Sequence, residues 1–473
     1  MNGLKKLIRR LFTIKNIKWT GERIPDNELY RKALSIAIPA TVEGALLSII
    51  SSIDTMMVGT ISPAAITAVG LTSQPRMILL IIAQALCVGT TALVARRKGA
   101  NDQRGANSVL AQSMLLITIV GIIISLVGHF FAEQIMWIAG AKEETIGMAT
   151  EYFQIIASCL IFNCWSLCLC AAMRAIGQTK ITMVTNIAAN LVNVFLNYCL
   201  IGGKLGFPQL GVKGAAIATA AGTVVSCIIA FAFALRKDGY IRYQPRLAKF
   251  DKQTMHGLMR VGSSSMAESA FLRLGFFINA RLIADIGVNQ FAAYQIVQQV
   301  TMLSFTLGDG VSTAGATLVG QSLGAKRKDG AMAYVRTCRK ISLVASILLM
   351  IGIFFARRNL AALFTNDKAI ITGASVAFIV VIFGIISQNG RVVFSGCLRG
   401  AGDVKYVAVC ALLSVTVIRP ILTYIFCYPA NRLFPNAFFD VTGPWIAFVL
   451  DAWIREALLK KRVNSGKFLD IRL

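Results

Sequence analysis

Apolar segments of roughly twenty or more residues, separated by short polar breaks, recur along nearly the whole chain, and each is long enough to cross about 30 Å of hydrocarbon. About twelve such spans are read, near 33–59, 69–96, 107–131, 147–173, 181–202, 212–235, 257–285, 291–321, 331–356, 369–398, 406–428 and 443–459. The hydrophobic share, 56% of 473 residues, exceeds the roughly 45–50% of soluble domains. The reading is therefore an all-α membrane protein. Lys and Arg outnumber Asp and Glu by 48 to 22, a net charge of +26, which in a soluble chain would suggest nucleic acid as a partner. Here the bases fall on alternate polar breaks, at Arg96–Lys98, through 236–252, through 326–340 and at Lys460–Arg462. That is the positive-inside pattern, and it assigns both termini to the cytoplasm and excludes a single nucleic-acid face. Residues 1–32 carry bases and no long apolar run, so they read as a cytoplasmic tail and not as a cleavable signal.

The chain also repeats itself. GTTALVARRKGANDQRGA after the second span matches AGATLVGQSLGAKRKDGA after the eighth, with Gly99 aligned to Gly324, since 324 − 99 = 225. The same shift carries Glu43 onto Glu268, Arg174 onto Arg399, Gly177 onto Gly402 and Lys180 onto Lys405. At Gly214 and Gly443 the shift is 443 − 214 = 229, so a small insertion precedes the last span. Two copies of six spans enter the membrane in the same orientation, as repeats about an axis along its normal do. The expected organisation is an N-lobe over 33–235, a cytoplasmic linker over 236–256 serving as a hinge, a C-lobe over 257–459 and a basic tail over 460–473. The lobes should flank a central cleft.

Asp54 is the foremost candidate for chemistry, because an acid deep in an apolar helix costs about 2.5–3.5 kcal/mol and is tolerated facing protein or water. There it can change protonation in the physiological range unless a cation neutralises it. Glu43 lies eleven residues earlier, about 20° from three full helical turns, so the two acids share a face. In the fifth span Asn186, Asn190, Asn193 and Asn197, spaced 4, 3 and 4, form one stripe, and the sixth adds Thr219, Thr223 and Ser226. Their oxygens suit a hard cation. Equally, such groups join helices through hydrogen bonds worth about 0.6 kcal/mol each. Tyr152 and Asn163 on the fourth span are further cavity candidates. In the second half Glu268, Arg273, Asp309 and Arg391 fall inside spans, and Arg273, Asp309 and Arg391 are expected to form a polar network that contacts an anionic or zwitterionic part of a substrate. Arg281 and Arg419 are expected near helix ends as snorkelling anchors. Cysteines such as Cys164, Cys168, Cys170, Cys199, Cys227 and Cys427 sit in apolar runs and read as membrane core. No GxxxxGK[ST] loop and no nucleophile or cofactor constellation is present in the sequence, which argues against an enzyme or a direct ATP drive.

Together IPATVEGALLSIISSIDTMMVG, RAIGQTK, LRGAGDVK and GVKGAAIAT, in this order within two six-span halves, resemble the MATE (multidrug and toxic compound extrusion) family, DinF-like and NorM-like members of the wider MOP exporter superfamily. The resemblance covers almost the whole chain beyond the tail. It implies a secondary antiporter that exports amphipathic, mostly cationic organic compounds in exchange for H⁺ or Na⁺ by alternating access, working as a monomer in a bacterial inner membrane with no cofactor. It further implies ion coupling, including a possible Na⁺ site, at Asp54, Asn193, Asn197 and Thr219. Asn197 stands where DinF-like members carry Asp. The second acidic site of NorM-like members would fall on Leu272 and Gln388 and is absent, which leaves Gln388 as a candidate cavity residue beside Asn190, Glu43 and Glu268. The alternative is a flippase or exporter of an anionic or lipid-linked substrate that uses the C-lobe arginines.

Overall fold

A computed structural model describes residues 13–14, 17, 19, 21–248, 251–430, 433 and 439–471. Among them the chain is helical, with no strand. The first half comprises α1 (Asp26–Gly59), α2 (Pro63–Gly99), α3 (Gln103–Phe130), the short α4 (Ala132–Ile138), α5 (Glu143–Ser158), α6 (Leu160–Ala175), α7 (Thr179–Gly202) and α8 (Gly211–Ala234). The second comprises α9 (Lys252–Ala284), α10 (Val288–Gly324), α11 (Lys328–Ala362), α12 (Lys368–Gly400), α13 (Val404–Ala411), α14 (Arg419–Ile425) and α15 (Phe439–Asn464). Each expected span lies on one of these rods or on a broken pair. By length and composition eight described helices can cross a membrane, or nine with α5 and α6 taken as one span. The remaining three, α9, α10 and α15, are richer in polar and charged residues, which lowers their apolar signal without shortening them.

Local chemistry sets the breaks. Ser62 caps α2 by accepting from the Ala65 N–H, with Pro63 in the first turn, and Asp102 caps α3 by accepting from Gly105 N–H at 2.7 Å. The span expected over 147–173 bends by 48° between α5 and α6. There the Ile161 N–H donates to Ser125 Oγ on α3 at 3.1 Å, so a side chain from a neighbour enters the helical ladder. The span over 406–428 is α-helical in two pieces, α13 and α14, because π-helical turns occupy Leu412–Ile418 and Phe426–Ala430. Each π turn accommodates an additional residue, and these turns lie where the repeat register moves from 225 to 229.

The described chain divides into two compact units. One, the N-unit, is Val42–Met266; the other, the C-unit, is Met1–Thr41 with Ala267–Leu473. Within the N-unit a continuous core joins α2 to α6, including Leu110, Met114, Phe153, Leu160 and Leu169. Within the C-unit the start of α1 packs into the core, with Leu29, Ala33 and Ala37 beside Val311, Ala314 and Phe394. The contact is close enough that a Cβ on Gly310 would meet the Thr41 side chain. The polar segment after α8, expected as a hinge, is strapped to its own unit. The Arg242 N–H donates to Asn107 Oδ1 at 2.8 Å, Gln103 Nε2 donates to Tyr240 O at 3.0 Å, and Lys98 Nζ lies 3.5 Å over the Tyr240 ring. Asp251 then opens α9, accepting from Thr254 Oγ1 at 2.6 Å and from its N–H at 3.0 Å, and these bonds hold its carboxyl below the ordinary aspartate range.

The repeat is visible in the contacts. In the N-unit the Arg174 guanidinium lies 3.8 Å from Glu43; in the C-unit Arg399 lies 3.3 Å from Glu268, the same pair displaced by 225 residues. All eleven cysteines are free and all but Cys159 are buried, as small apolar fillers.

Close approach of α12 to α10 depends on Gly400, where a Cβ would sit 2.1 Å from the Ala316 carbonyl oxygen. Gly400→Val is expected to cost about 1–3 kcal/mol and lower the melting temperature in detergent, as overpacking does. Gly352→Ala, with open space around it, should leave the melting temperature unchanged or raise it; equal melting of the two variants would contradict this packing.

Candidate functional site

α1 brings Asp54 into a cavity of about 280 Å³ within the N-unit. Its lining comes from α1 (Leu47, Ser51), α2 (Arg76), α6 (Asn163, Ser166), α7 (Asn186, Asn190, Asn193) and α8 (Thr219, Thr223, Ser226). Three of the four amides predicted as a stripe from the 4-3-4 spacing thus face one space, and the fourth, Asn197, reaches Asp54 without joining the lining. Asn197 Nδ2 donates to Asp54 Oδ1 at 3.0 Å. Asn193 satisfies its surroundings with its amide nitrogen toward the acid, donating to the two Asp54 oxygens at 2.8 and 3.0 Å while its oxygen accepts from Thr219 Oγ1 at 3.2 Å. Two amides therefore hold the carboxylate, and no Lys or Arg forms an ion pair with it among the described residues. Asn197 Oδ1 is buried with no hydrogen-bond partner. A carboxyl group without an ion pair and an orphaned amide oxygen side by side suit a proton or a hard cation, because both present acceptors.

Glu43 is not part of this cavity's lining but touches it through Asn186. It is buried and accepts from Asn186 Nδ2 at 2.5 Å and Thr182 Oγ1 at 3.0 Å, besides its pairing with Arg174. Asn190 lines the cavity and donates to Asn186 O at 2.7 Å. Tyr152 is buried on α5 beside Thr219, and Asn163 reaches the cavity wall. Sequence reasoning did not single out Arg76, which follows Pro75 within α2, nor Ser166, whose hydroxyl meets that of Ser226 at 2.6 Å. A lone Arg in an apolar span was the available signal for the first; the second has none in the sequence.

The charges of the second half fall out differently from expectation. Arg419 does not snorkel: it is 3% exposed, its Nε donates to Asp451 Oδ2 at 2.9 Å, and Ser414 also donates to Asp451. The π turn before Arg419 sets its side chain inward, which helical spacing does not anticipate. Arg281 is largely exposed and pairs with Asp285, as an anchor would. Of the expected network, Arg391 lines a second cavity with Gln388, within the C-unit; Arg273, half-buried, and Asp309, exposed, are not in its lining. Glu268 accepts from Arg399 and from Arg455, both at 3.3 Å. Asp451, Arg455 and Glu456 on α15 are buried charges that the sequence reading passed over; their signal was three ionisable residues within six positions of an apolar span.

The MatE family profile matches residues 39–199 and 265–425, one copy in each half. The chain belongs to the MatE family. It is a multi-pass membrane transporter and not an enzyme. It is 25% identical over 435 residues to the uncharacterized transporter YisQ of Bacillus subtilis, covering 91% of this chain and 93% of that one. It is 27% identical over 457 residues to the probable multidrug resistance protein NorM of Thermotoga maritima, covering 94% of each. A solved structure described as the outward-facing conformation of a multidrug resistance MATE family transporter superposes with a TM-score of 0.84 at 21% identity, over 93% of this chain and 97% of that one.

Asp451→Asn leaves the Arg419 guanidinium buried without its counter-charge, and about 3–5 kcal/mol of stability should be lost. Arg419→Met with Asp451→Asn removes both charges and is expected to recover most of that loss in thermal melting. A double variant no more stable than the single one would show that the pair is not the source.

Proposed function

We propose that this transporter is a secondary exporter of amphipathic, mostly cationic organic compounds, exchanging them for H⁺ or Na⁺ by alternating access in a bacterial plasma membrane, both termini in the cytoplasm. One observation carries the reading: Asp54 is held by Asn193 and Asn197, forms no ion pair among the described residues although Arg76 lines the same cavity, and has a bare amide oxygen beside it. A group so placed takes its positive charge from solution. Likeness to relatives named for multidrug resistance supports organic compounds as the cargo.

In this mechanism Asp54 takes up the ion, Asn193 and Asn197 orient its carboxylate by donating to it, and the oxygens of Asn197 and Thr219 complete the coordination of Na⁺ or accept from the protonated acid. The ion binds one conformation of the carrier more tightly than the other, and that difference drives the cycle. Glu43, already answered by Arg174, Thr182 and Asn186, is a structural partner of α7 and does not exchange the ion. Compounds bind as a single carrier molecule would hold them, with no cofactor.

The test is efflux of a fluorescent organic cation from cells lacking their own pumps, with an imposed pH gradient and with or without Na⁺. Asp54→Asn at matched expression should abolish gradient-dependent efflux, whereas Glu43→Gln should retain it in reduced amount. Wild-type efflux that persists in Asp54→Asn would overturn the assignment.

A further inference from the structure

The C-unit cavity occupies the place in its own repeat that the Asp54 cavity occupies in the other. The shift of 225 that pairs Glu43 with Glu268 carries Asp54 onto Asn279, Asn163 onto Gln388, Ser166 onto Arg391 and Arg76 onto Thr301, all members of the two linings. Beyond the first π turn the shift is one larger. The bond from Asn197 to Asp54 becomes one from Thr423 to Asn279 at 2.6 Å, and Asn193 becomes Arg419. In α15 the shift of 229 turns Gly222, beside Asn193, into Asp451, beside Arg419, and turns Ser226 into Arg455.

These exchanges replace a cavity of mixed charge by a positive one. The N-unit cavity holds a carboxylate and the Arg76 guanidinium; the C-unit cavity is lined by Arg391 and Arg419 and by no carboxylate. Behind the lining the account stays positive. Arg391, Arg419 and Arg455 are each more than nine-tenths buried and, with the half-buried Arg399, share only Glu268 and Asp451. Arg391 has no ion pair among the described residues: its Nη2 donates to Gln388 at 3.0 Å and its Nε is buried without a partner. A surplus guanidinium in a low-dielectric interior calls for an anion, and its planar fork matches a carboxylate. Asn279, Gln298 and Thr301 add polar groups to the wall, and the rest is largely aromatic. Trp445 stacks on Tyr294 at 4.9 Å and meets Phe448 edge-on, with Phe276 and Phe305 completing a space of about 220 Å³, enough for a bicyclic ring.

We infer that the C-unit cavity is a binding site for small aromatic carboxylates, with Arg391 receiving the carboxylate and the Trp445 side holding the ring. The site is separate from the Asp54 cavity and stands whichever ion, or none, acts there.

Calorimetric titration of the purified full chain in detergent with 2-naphthoate tests it, against 2-naphthylmethylammonium as the cation of the same shape. Wild type should bind the acid at least tenfold more tightly than the cation. Arg391→Gln should weaken the acid tenfold or more, Arg391→Lys less, and Arg281→Gln, the loss of an exposed charge on α9, not at all. Met302→Trp, at the exposed edge of the cavity, blocks the space with the arginines untouched and should also weaken binding tenfold, which decides the matter if Arg391→Gln fails to fold. No binding of naphthoate by wild type, equal binding of the cation, or an unchanged affinity in Met302→Trp would overturn the inference.

Discussion

Charge inside hydrocarbon has to be answered locally, and this fold answers it twice with one device. Glu43 with Arg174 and Glu268 with Arg399 are the same ion pair in the two repeats, each tying the first helix of its half to the end of the fourth. With those pairs fixed, the remaining polar groups of each half are free to diverge. In the N-unit they leave a carboxylate held by amides, with no ion pair among the described residues; in the C-unit they leave guanidinium in excess of carboxylate. The two halves share the frame, and different residues at equivalent positions set different charges upon it.

The divergence has a structural companion in the helix that carries Arg419. Its counterpart α7 is regular from Thr179 to Gly202, so its four asparagines keep a single stripe. The C-unit helix contains two π turns, and the first turns Arg419 toward Asp451 on α15. That ion pair is buried on both sides. Its worth lies less in net stability than in fixing where Arg419 points, since buried pairs roughly break even against apolar replacements.

Much of this was legible in the sequence because it depends on spacing along one helix or on a constant shift between copies. The 4-3-4 asparagines, the lone Asp54 and the matches at 225 all place residues without knowledge of tertiary contacts. The misplacement of Arg419 as a snorkelling anchor came from assuming regular helical rotation through Leu412–Ile418. Asp451 escaped notice because its partner lies 32 positions away, and the bend at Cys159 because its cause is a serine from a different helix. The bonds that tie the linker to its own unit were out of reach for the same reason: Pro245 and the bases are local facts, whereas the bonds to Asn107 and from Gln103 are not.

The central claim is that Asp54 carries the coupling ion, and ion flux in proteoliposomes addresses it most directly. With organic cation loaded inside and none outside, wild-type protein should move H⁺ or Na⁺ in the opposite direction in a fixed ratio to the cation released. With Asp54→Asn, cation release should lose that counterflux entirely. Counterflux at the wild-type ratio in the variant would contradict the account.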